Sequence, residues 1–195
     1  MTRLRIGVLG LQGDVREHVA AVTRLGAEAG LVRTPEDLER VDALVIPGGE
    51  STTIGRLATI YGLIEPLRER LEGGMPALGT CAGMIFLAAA TTGPEQPQLG
   101  ALDVVVERNA FGRQVDSFEA DLDIAGWEDL LHAVFIRAPW IHKVGGEVEA
   151  LASVPGPDGS EPRPVFVRQG RILATSFHPE LTGDLRVHEM LLEVT

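Results

Sequence analysis

Gly79-Thr80-Cys81-Ala82-Gly83 places the chain's one cysteine in a G-x-C-x-G turn. A short apolar run, Met75 to Gly79, reads as a strand entering this turn, and Ala82 to Ala90 reads as an apolar helix leaving it. That is the nucleophile-elbow order of elements, with Cys in place of Ser. The glycines allow a tight turn that lifts the side chain above the sheet edge. The helix N-terminus beneath it favours a thiolate. A small buried cysteine is the plainer reading of a lone thiol, but the flanking strand and helix weigh for the nucleophile.

His178-Pro179-Glu180 offers a base. Pro179 pushes the residue before it into extended backbone, and in extended backbone residues i and i+2 face the same way. Glu180 is therefore expected to reach the imidazole and fix its tautomer, leaving the other ring nitrogen facing outward. The pair follows an apolar run, Ile172 to Phe177, at the carboxyl end of a strand, where α/β proteins place their sites. Taken alone, His-x-Glu reads as structural. Beside a cysteine elbow it supplies the base and orienting acid that a thiol nucleophile needs.

Two further segments have the right chemistry for a substrate. In Pro47-Gly48-Gly49-Glu50-Ser51-Thr52-Thr53 two glycines follow a strand and precede a helix start. Exposed backbone N–H groups there suit an oxyanion. No Lys follows as in a P-loop, and Glu50 would repel phosphate; a plain capped helix start explains the segment equally well. Arg108 to Gln114 and Ile136-Arg137-Ala138-Pro139 each set Arg beside apolar residues after a strand, suited to hold a carboxylate. His18, His132, His142 and His188 show no metal-ligand spacing and are assigned to surface or core.

These residues need a frame. Leu4 to Leu9, Gly30 to Val32, Ala43 to Ile46 and Met75 to Gly79 read as strands, alternating with helical stretches. A stripe at Val15, Val19, Val22, Leu25 and Ala29 marks one helix; Thr34-Pro35 caps a short second. Ser51 to Leu71 is helical with a break near Gly62, and Asp184 to Val194 forms a last helix. The second half is richer in strands: Leu102 to Glu107, Phe118 to Ile124, Ala133 to Arg137, Val148 to Val154, Val165 to Arg168 and Ile172 to Phe177. Residues 155–164, crowded with Pro and Gly, read as a surface loop. The expected architecture is α/β: an open, mixed, mostly parallel sheet flanked by helices, with extra antiparallel strands late in the chain.

Composition narrows the function. The 195 residues are 45% hydrophobic, enough at this length for about 70% of the unfolded surface to be buried without staples. A net charge of −11 gives the wrong field for nucleic acid or anionic membranes. A single cysteine excludes an internal disulfide and a multi-cysteine metal site. With no signal-peptide pattern and no apolar run of membrane length, a cytoplasmic location is expected.

Taken in order, Gly10-Leu-Gln-Gly-Asp14, Pro47 to Thr53, Gly79 to Gly83, Arg108-Asn-Ala-Phe-Gly-Arg-Gln114, Phe135-Ile-Arg-Ala-Pro139 and Ser176-Phe-His-Pro-Glu-Leu-Thr182 closely resemble a known set. They are similar to the class I (triad-type, flavodoxin-like) glutamine amidotransferases, in the family of pyridoxal 5′-phosphate synthase glutaminase subunits. The cysteine elbow and His-x-Glu are common to the class; the Leu-Gln-Gly-Asp, Arg-Asn-Ala-Phe-Gly-Arg-Gln and Phe-Ile-Arg-Ala-Pro stretches carry the narrower likeness. With no internal repeat and no linker, the chain reads as one domain over 1–195. The resemblance, which spans Ile6 to Thr182, makes it a glutamine amidotransferase domain and implies Cys81 as nucleophile, His178 as base and Glu180 as its orienting acid. It implies Gly49 and Ala82 N–H groups as oxyanion donors, and Gly48, Gly49, Glu50, Arg108, Ile136 and Arg137 around L-glutamine. Gln12 falls in the segment that meets the partner, a (β/α)₈-barrel synthase subunit in a large hetero-oligomer. No cofactor or metal is implied for this chain; pyridoxal 5′-phosphate is the product of the complex. Loop 155–164 looks longer than usual for the family.

The activity so implied is hydrolysis of L-glutamine through a glutamyl thioester, with ammonia delivered for vitamin B6 biosynthesis. Three other readings stand beside it: a glutaminase for another synthase such as that of histidine biosynthesis, a silent scaffold subunit, and a cysteine hydrolase or peptidase. The Arg108–Gln114 stretch weighs against the first. The presence of nucleophile, base and acid weighs against the second, and Glu50, Arg108 and Arg137 favour an amino-acid substrate over the third.

Overall fold

A computed structural model of the protein describes residues 3–108, 117–156 and 161–195. In chain order its elements are β1 (Arg5–Leu9), α1 (Val15–Arg24), β2 (Glu28–Val32), α2 (Pro35–Leu38), β3 (Ala43–Ile46), α3 (Ser51–Ile60), α4 (Ile64–Glu72), β4 (Ala77–Thr80) and α5 (Ala82–Leu87). Then follow β5 (Ala88–Thr91), β6 (Leu102–Glu107), β7 (Ser117–Leu122), β8 (Leu131–Ile136), β9 (Trp140–Val144), β10 (Glu149–Val154), β11 (Arg163–Gln169), β12 (Ile172–Thr175), a 3₁₀ turn (Pro179–Leu181) and α6 (Arg186–Glu193).

The main sheet has seven strands in the order β10-β11-β12-β4-β3-β1-β2. From β2 to β12 every neighbouring pair is parallel; β11 and β10 extend the sheet antiparallel. Period-two alternation divides the core between its faces. Leu44 and Ile46 of β3 pack with Ile54, Leu67 and Phe86 from α3, α4 and α5, while Ala43 and Val45 pack with Val22, Val187 and Leu191 from α1 and α6. Each large aliphatic or aromatic side chain so buried contributes about 1.5–3 kcal/mol. The β7–β8 hairpin joins the second face through Phe135, stacked on Phe118 and set edge-on to Phe177. A three-stranded sheet, β5-β6-β9, has its own hydrogen bonding and packs Leu102, Val104, Val106 and Ile141 into the core on the first face.

The expected α/β frame is present, with local differences. Ala29 belongs to β2, not to the first helix, which ends at Arg24. The helix after Cys81 stops at Leu87, because residues 88–91 turn into β5 and pair with β6. An apolar run of that length fits either period, and the pairing decides it. Strand β9 was not anticipated; it is fixed by pairing with β6 across the chain. Arg163 and Pro164, expected in the loop, already belong to β11, and residues 157–160 of that loop lie outside the described residues.

Thr34 caps α2 as its sequence suggests: its hydroxyl accepts from Asp37 N–H and the Asp37 carboxylate accepts from Thr34 N–H. For the site, the consequence of the topology is that β3, β4 and β12 are adjacent and parallel. Their carboxyl ends therefore bring Gly48-Gly49, Cys81 and His178 to one edge.

Candidate active site

Cys81 sits between β4 and α5 with φ 49° and ψ −104°, a conformation rarely adopted by an L-residue. The elbow needs both flanking glycines for close approach: a Cβ on Gly79 would lie 2.8 Å from the Gly83 carbonyl oxygen, and one on Gly83 would collide with the Ile46 carbonyl. Ala82 opens α5, where a backbone N–H has no partner within its own helix.

Cys81 and His178 line the same cleft, close enough for the thiol to act on the ring's charge, and His178 Nδ1 lies 2.7 Å from Glu180 Oε1. Nε2 is thereby the nitrogen left for the thiol. The geometry reaches the expected pairing by a different route. Residues 179–181 form a 3₁₀ turn, not extended backbone, because Pro179 with its fixed φ starts a turn readily. The His178 N–H donates to the Val134 carbonyl at 2.9 Å, tying the segment to β8. Burial opposes charge on His178, but the hydrogen bonds and charges of Cys81 and Glu180 outweigh it and raise its pKa to about 10. Burial also pushes the Glu180 carboxyl up, against the pull of His178. With the imidazole so basic, the proton between them stays on His178.

The turn at 48–50 is fastened on three sides. Gly48 N–H donates to Thr80 Oγ1 at 3.0 Å, the Gly48 carbonyl accepts from Asp14 N–H at 3.2 Å, and Glu50 N–H donates to Gln12 Oε1 at 2.7 Å. Gly49 has φ 152°, and a side chain there would run into Gln12. Glu50 caps α3 by accepting from Thr52 and Thr53 N–H and from the Thr53 hydroxyl, and pairs with Arg108 at 3.1 Å. Partial burial works against its charge, but the Thr52 and Thr53 hydrogen bonds dominate and lower its pKa to about 2. Of the two readings of this segment, the capped helix start is present, and its Glu50, Thr52 and Thr53 N–H groups are taken by Gln12 and Glu50; the segment also walls the cleft.

A cleft of about 350 Å³ is lined by Gln12, Asp14, Gly49, Glu50, Ser51, Cys81, Ala82, Ile85, Arg108, Ile136, Arg137 and His178. Gly48 lies against the His178 ring, and Glu180 stands behind it. Arg137 is the second non-glycine residue with positive φ, 43°. Of the Arg108–Gln114 stretch only Arg108 is described; residues 109–116 lie outside the described residues.

The structure adds residues that the sequence reading passed over. Gln96 Oε1 accepts from Ser51, Thr52 and Arg108, holding the guanidinium against the cleft wall. Asp14 Oδ2 lies 3.3 Å from His178 Nδ1. His18 and His188, assigned to the core or surface, are buried behind Glu180, in line with the triad candidates. Contacts this remote in sequence leave no local signal. Ligand atoms of Asp14, His178 and Glu180 fall within 4.8 Å of one another, close enough for a metal ion. His178 Nδ1 is, however, already the N–H donor to Glu180, so a metal would have to displace that proton.

Comparison with known proteins follows the same line. The SNO glutamine amidotransferase family model matches residues 8–195. A protein of Rhodococcus jostii named pyridoxal 5′-phosphate synthase subunit PdxT is 57% identical over 198 residues, covering 100% of this chain and 98% of its own. The PdxT protein of Mycobacteroides abscessus is 58% identical over 191 residues, covering 97% and 96%. A crystal structure of a glutamine amidotransferase superposes with a TM-score of 0.90 at 54% identity, covering 97% of both chains. With a cysteine elbow facing His178 and Glu180 at the carboxyl edge of its sheet, and a family match over nearly its whole length, the chain belongs to the SNO glutamine amidotransferase family.

Proposed function

We propose that the chain hydrolyses L-glutamine to L-glutamate and ammonia at the Cys81 cleft, and delivers the ammonia to a partner synthase subunit that makes pyridoxal 5′-phosphate. One observation carries the reading: Cys81 and His178 line one cleft, and the ring is held from behind by the Glu180 carboxylate at 2.7 Å.

The Cys81 thiol gives its proton to His178 Nε2, and the sulfur attacks the side-chain amide carbon of glutamine. Ala82 N–H, at the free end of α5, and Gly49 N–H stabilise the tetrahedral oxyanion; a donor of this kind is typically worth about 10²–10³ in rate. His178 gives its Nε2 proton to the departing nitrogen, which leaves as ammonia, and a glutamyl thioester remains. Water, deprotonated by His178, opens the thioester, releasing glutamate and the thiol. Glu180 keeps the ring oriented through both steps. Arg108 and Arg137 suit the α-carboxylate, Glu50 suits the α-ammonium, and Gly48, Gly49 and Ile136 bound the substrate.

The partner in this reading is a (β/α)₈-barrel synthase subunit in a hetero-oligomer; the relatives' name, a synthase subunit, supports a partner subunit. Gln12 and Asp14 grip the 48–50 turn from one short segment. Docking on that segment would reset the Gly48-Gly49 peptide, so that hydrolysis is fast only where the ammonia is used. A cytoplasmic location accords with a lone free thiol and with no described helix being long and apolar enough to cross a membrane.

The test is ammonia release from L-glutamine by the purified chain, alone and with its cognate synthase subunit, beside a Cys81→Ala control. Activity that rises sharply with the synthase and vanishes in the variant is expected. Full activity in Cys81→Ala overturns the nucleophile, and equal activity with and without the synthase overturns the coupling.

A further inference from the structure

Behind the cleft lies a line of polar side chains sealed from solvent. His18 and Thr80 are 0% exposed and His188 is 1% exposed. His18 Nδ1 lies 2.9 Å from His188 Nε2. On the other side of the ring, His18 Nε2 lies 3.1 Å from Thr80 Oγ1 and 3.4 Å from Glu180 Oε2. Glu180 Oε2 and His188 Nδ1 are buried atoms with no hydrogen-bond partner of ordinary geometry. The Thr80 oxygen in turn accepts the Gly48 N–H.

Two proton arrangements fit the 2.9 Å contact between the rings. With the His18 proton on Nδ1, its Nε2 lone pair would face Glu180 Oε2, and His188 would be left with a buried N–H lacking an acceptor. With the proton on Nε2, that N–H faces both Thr80 Oγ1 and Glu180 Oε2. His188 Nε2–H then donates to His18 Nδ1, and what is left over is a lone pair at His188 Nδ1 and the Thr80 hydroxyl proton. Only this arrangement turns a donor toward the buried Glu180 oxygen, which needs one; the other sets a lone pair against a carboxylate at 3.4 Å. The second arrangement prevails.

We infer that His18 is a positioning residue for the reaction: its single Nε2–H holds the free oxygen of Glu180 and the Thr80 hydroxyl together, fastening the carboxylate that orients His178 and the turn that bears Gly48 to one ring, with His188 setting the tautomer. The inference deepens the triad reading of Cys81, His178 and Glu180 and rests on it. The ring must be neutral to serve. Burial, then the charges of His188 and His178, keep His18 well below the usual histidine range, and burial lowers His188 to about 4.

The titratable groups facing Glu180 are His178, His18 and, more distantly, Asp14; those facing His18 are His188, His178 and Glu180. Loss of the His18 donor makes the carboxylate easier to protonate, so the acid limb of the reaction moves to higher pH.

The test begins with the intact protein: ¹⁵N-histidine spectra near pH 7 report the tautomer of each ring. Nε2–H at both His18 and His188 is expected; Nδ1–H at His18 overturns the inference. His18→Leu and His18→Gln are then compared, Gln retaining an N–H near the Nε2 position. In His18→Leu, kcat for glutamine should fall roughly tenfold to a hundredfold with KM little changed, the loss usual for a supporting residue one shell out. The acid limb should rise by about half a pH unit or more, and His18→Gln should recover most of both effects. Equal loss in the two variants, or an unmoved acid limb, overturns the inference. The same limb is read in alkylation of Cys81 by iodoacetamide, which needs no glutamine, so failure of the glutaminase reading is seen separately. Should His18→Leu not fold, the tautomer measurement alone decides.

Discussion

Gly48 and His178 are in contact so close that no side chain fits between them: a Cβ on Gly48 would lie 2.9 Å from His178 Nδ1 and collide with Cε1. The ring has no easy retreat, since Glu180 holds its Nδ1 and the Val134 carbonyl ties down the backbone N–H that carries it. Gly48→Ala should therefore push the imidazole off line and lower kcat by about 10²-fold, the usual result of a displacement near 1 Å. Far-UV circular dichroism should be unchanged. Wild-type turnover in this variant would show that the ring has slack.

The backbone of Cys81 predicts an inverse relation between stability and activity. At φ 49° and ψ −104° a residue with a Cβ carries roughly 1–3 kcal/mol of strain, which glycine largely escapes. Cys81→Ala and Cys81→Gly should both be inactive, with the glycine variant the more stable by about 1 kcal/mol in urea titration. An alanine variant as stable as the glycine variant would mean that the elbow is relaxed.

Glu50 serves α3 and the cleft together. Its removal in Glu50→Ala should cost about 1 kcal/mol as a lost N-cap, seen as a few degrees in Tm, with little added from the half-exposed Arg108 pair. The KM for glutamine should rise several-fold as Arg108 loses a partner. Since the Glu50 pKa is lowered to about 2, its stabilising contribution is full above about pH 4.5 and is lost as pH falls through 2. A KM identical to wild type would remove Glu50 from the substrate pocket.

Acid should weaken the fold through His18 and His188. Both are lowered in the folded protein, His188 to about 4, so below pH 6.5 the unfolded chain binds more protons. Between pH 6.5 and 5 stability should fall by up to about 1.4 kcal/mol per pH unit for each ring. Chemical denaturation at stepped pH should show this slope roughly halved in His188→Gln. His178 moves the other way: raised to about 10, it contributes stability that is complete below about pH 6.5 and fades as pH climbs to 10.

Local chemistry was legible in the sequence; remote geometry was not. The elbow at Cys81 could be read because strand, turn and helix are contiguous, and Glu180 because it is two residues from His178. The cap on α2 followed from Thr34, Pro35 and Asp37 alone. By contrast, His18 finds its meaning in Thr80 and His188, which lie 62 and 170 positions away. Nothing in Val15 to Arg24 sets that histidine apart from any other buried polar residue. Gln96 was invisible for the same reason, as its amide oxygen collects donors from α3 and from the end of β6. Strand β9 and the short α5 depend on pairing with β6, which no local pattern encodes.

The placement of β12 between β4 and β11 bears on how the protein comes into being on the ribosome. The elbow belongs to the first half of the chain, and its base arrives on nearly the last strand to be synthesised. A nascent chain that has not yet reached His178 has a thiol with no partner to activate it. Insertion of β12 alongside β4 is what carries His178 to Cys81, so the two side chains meet only after that late pairing forms. Long-range parallel pairing of this kind is slow to form.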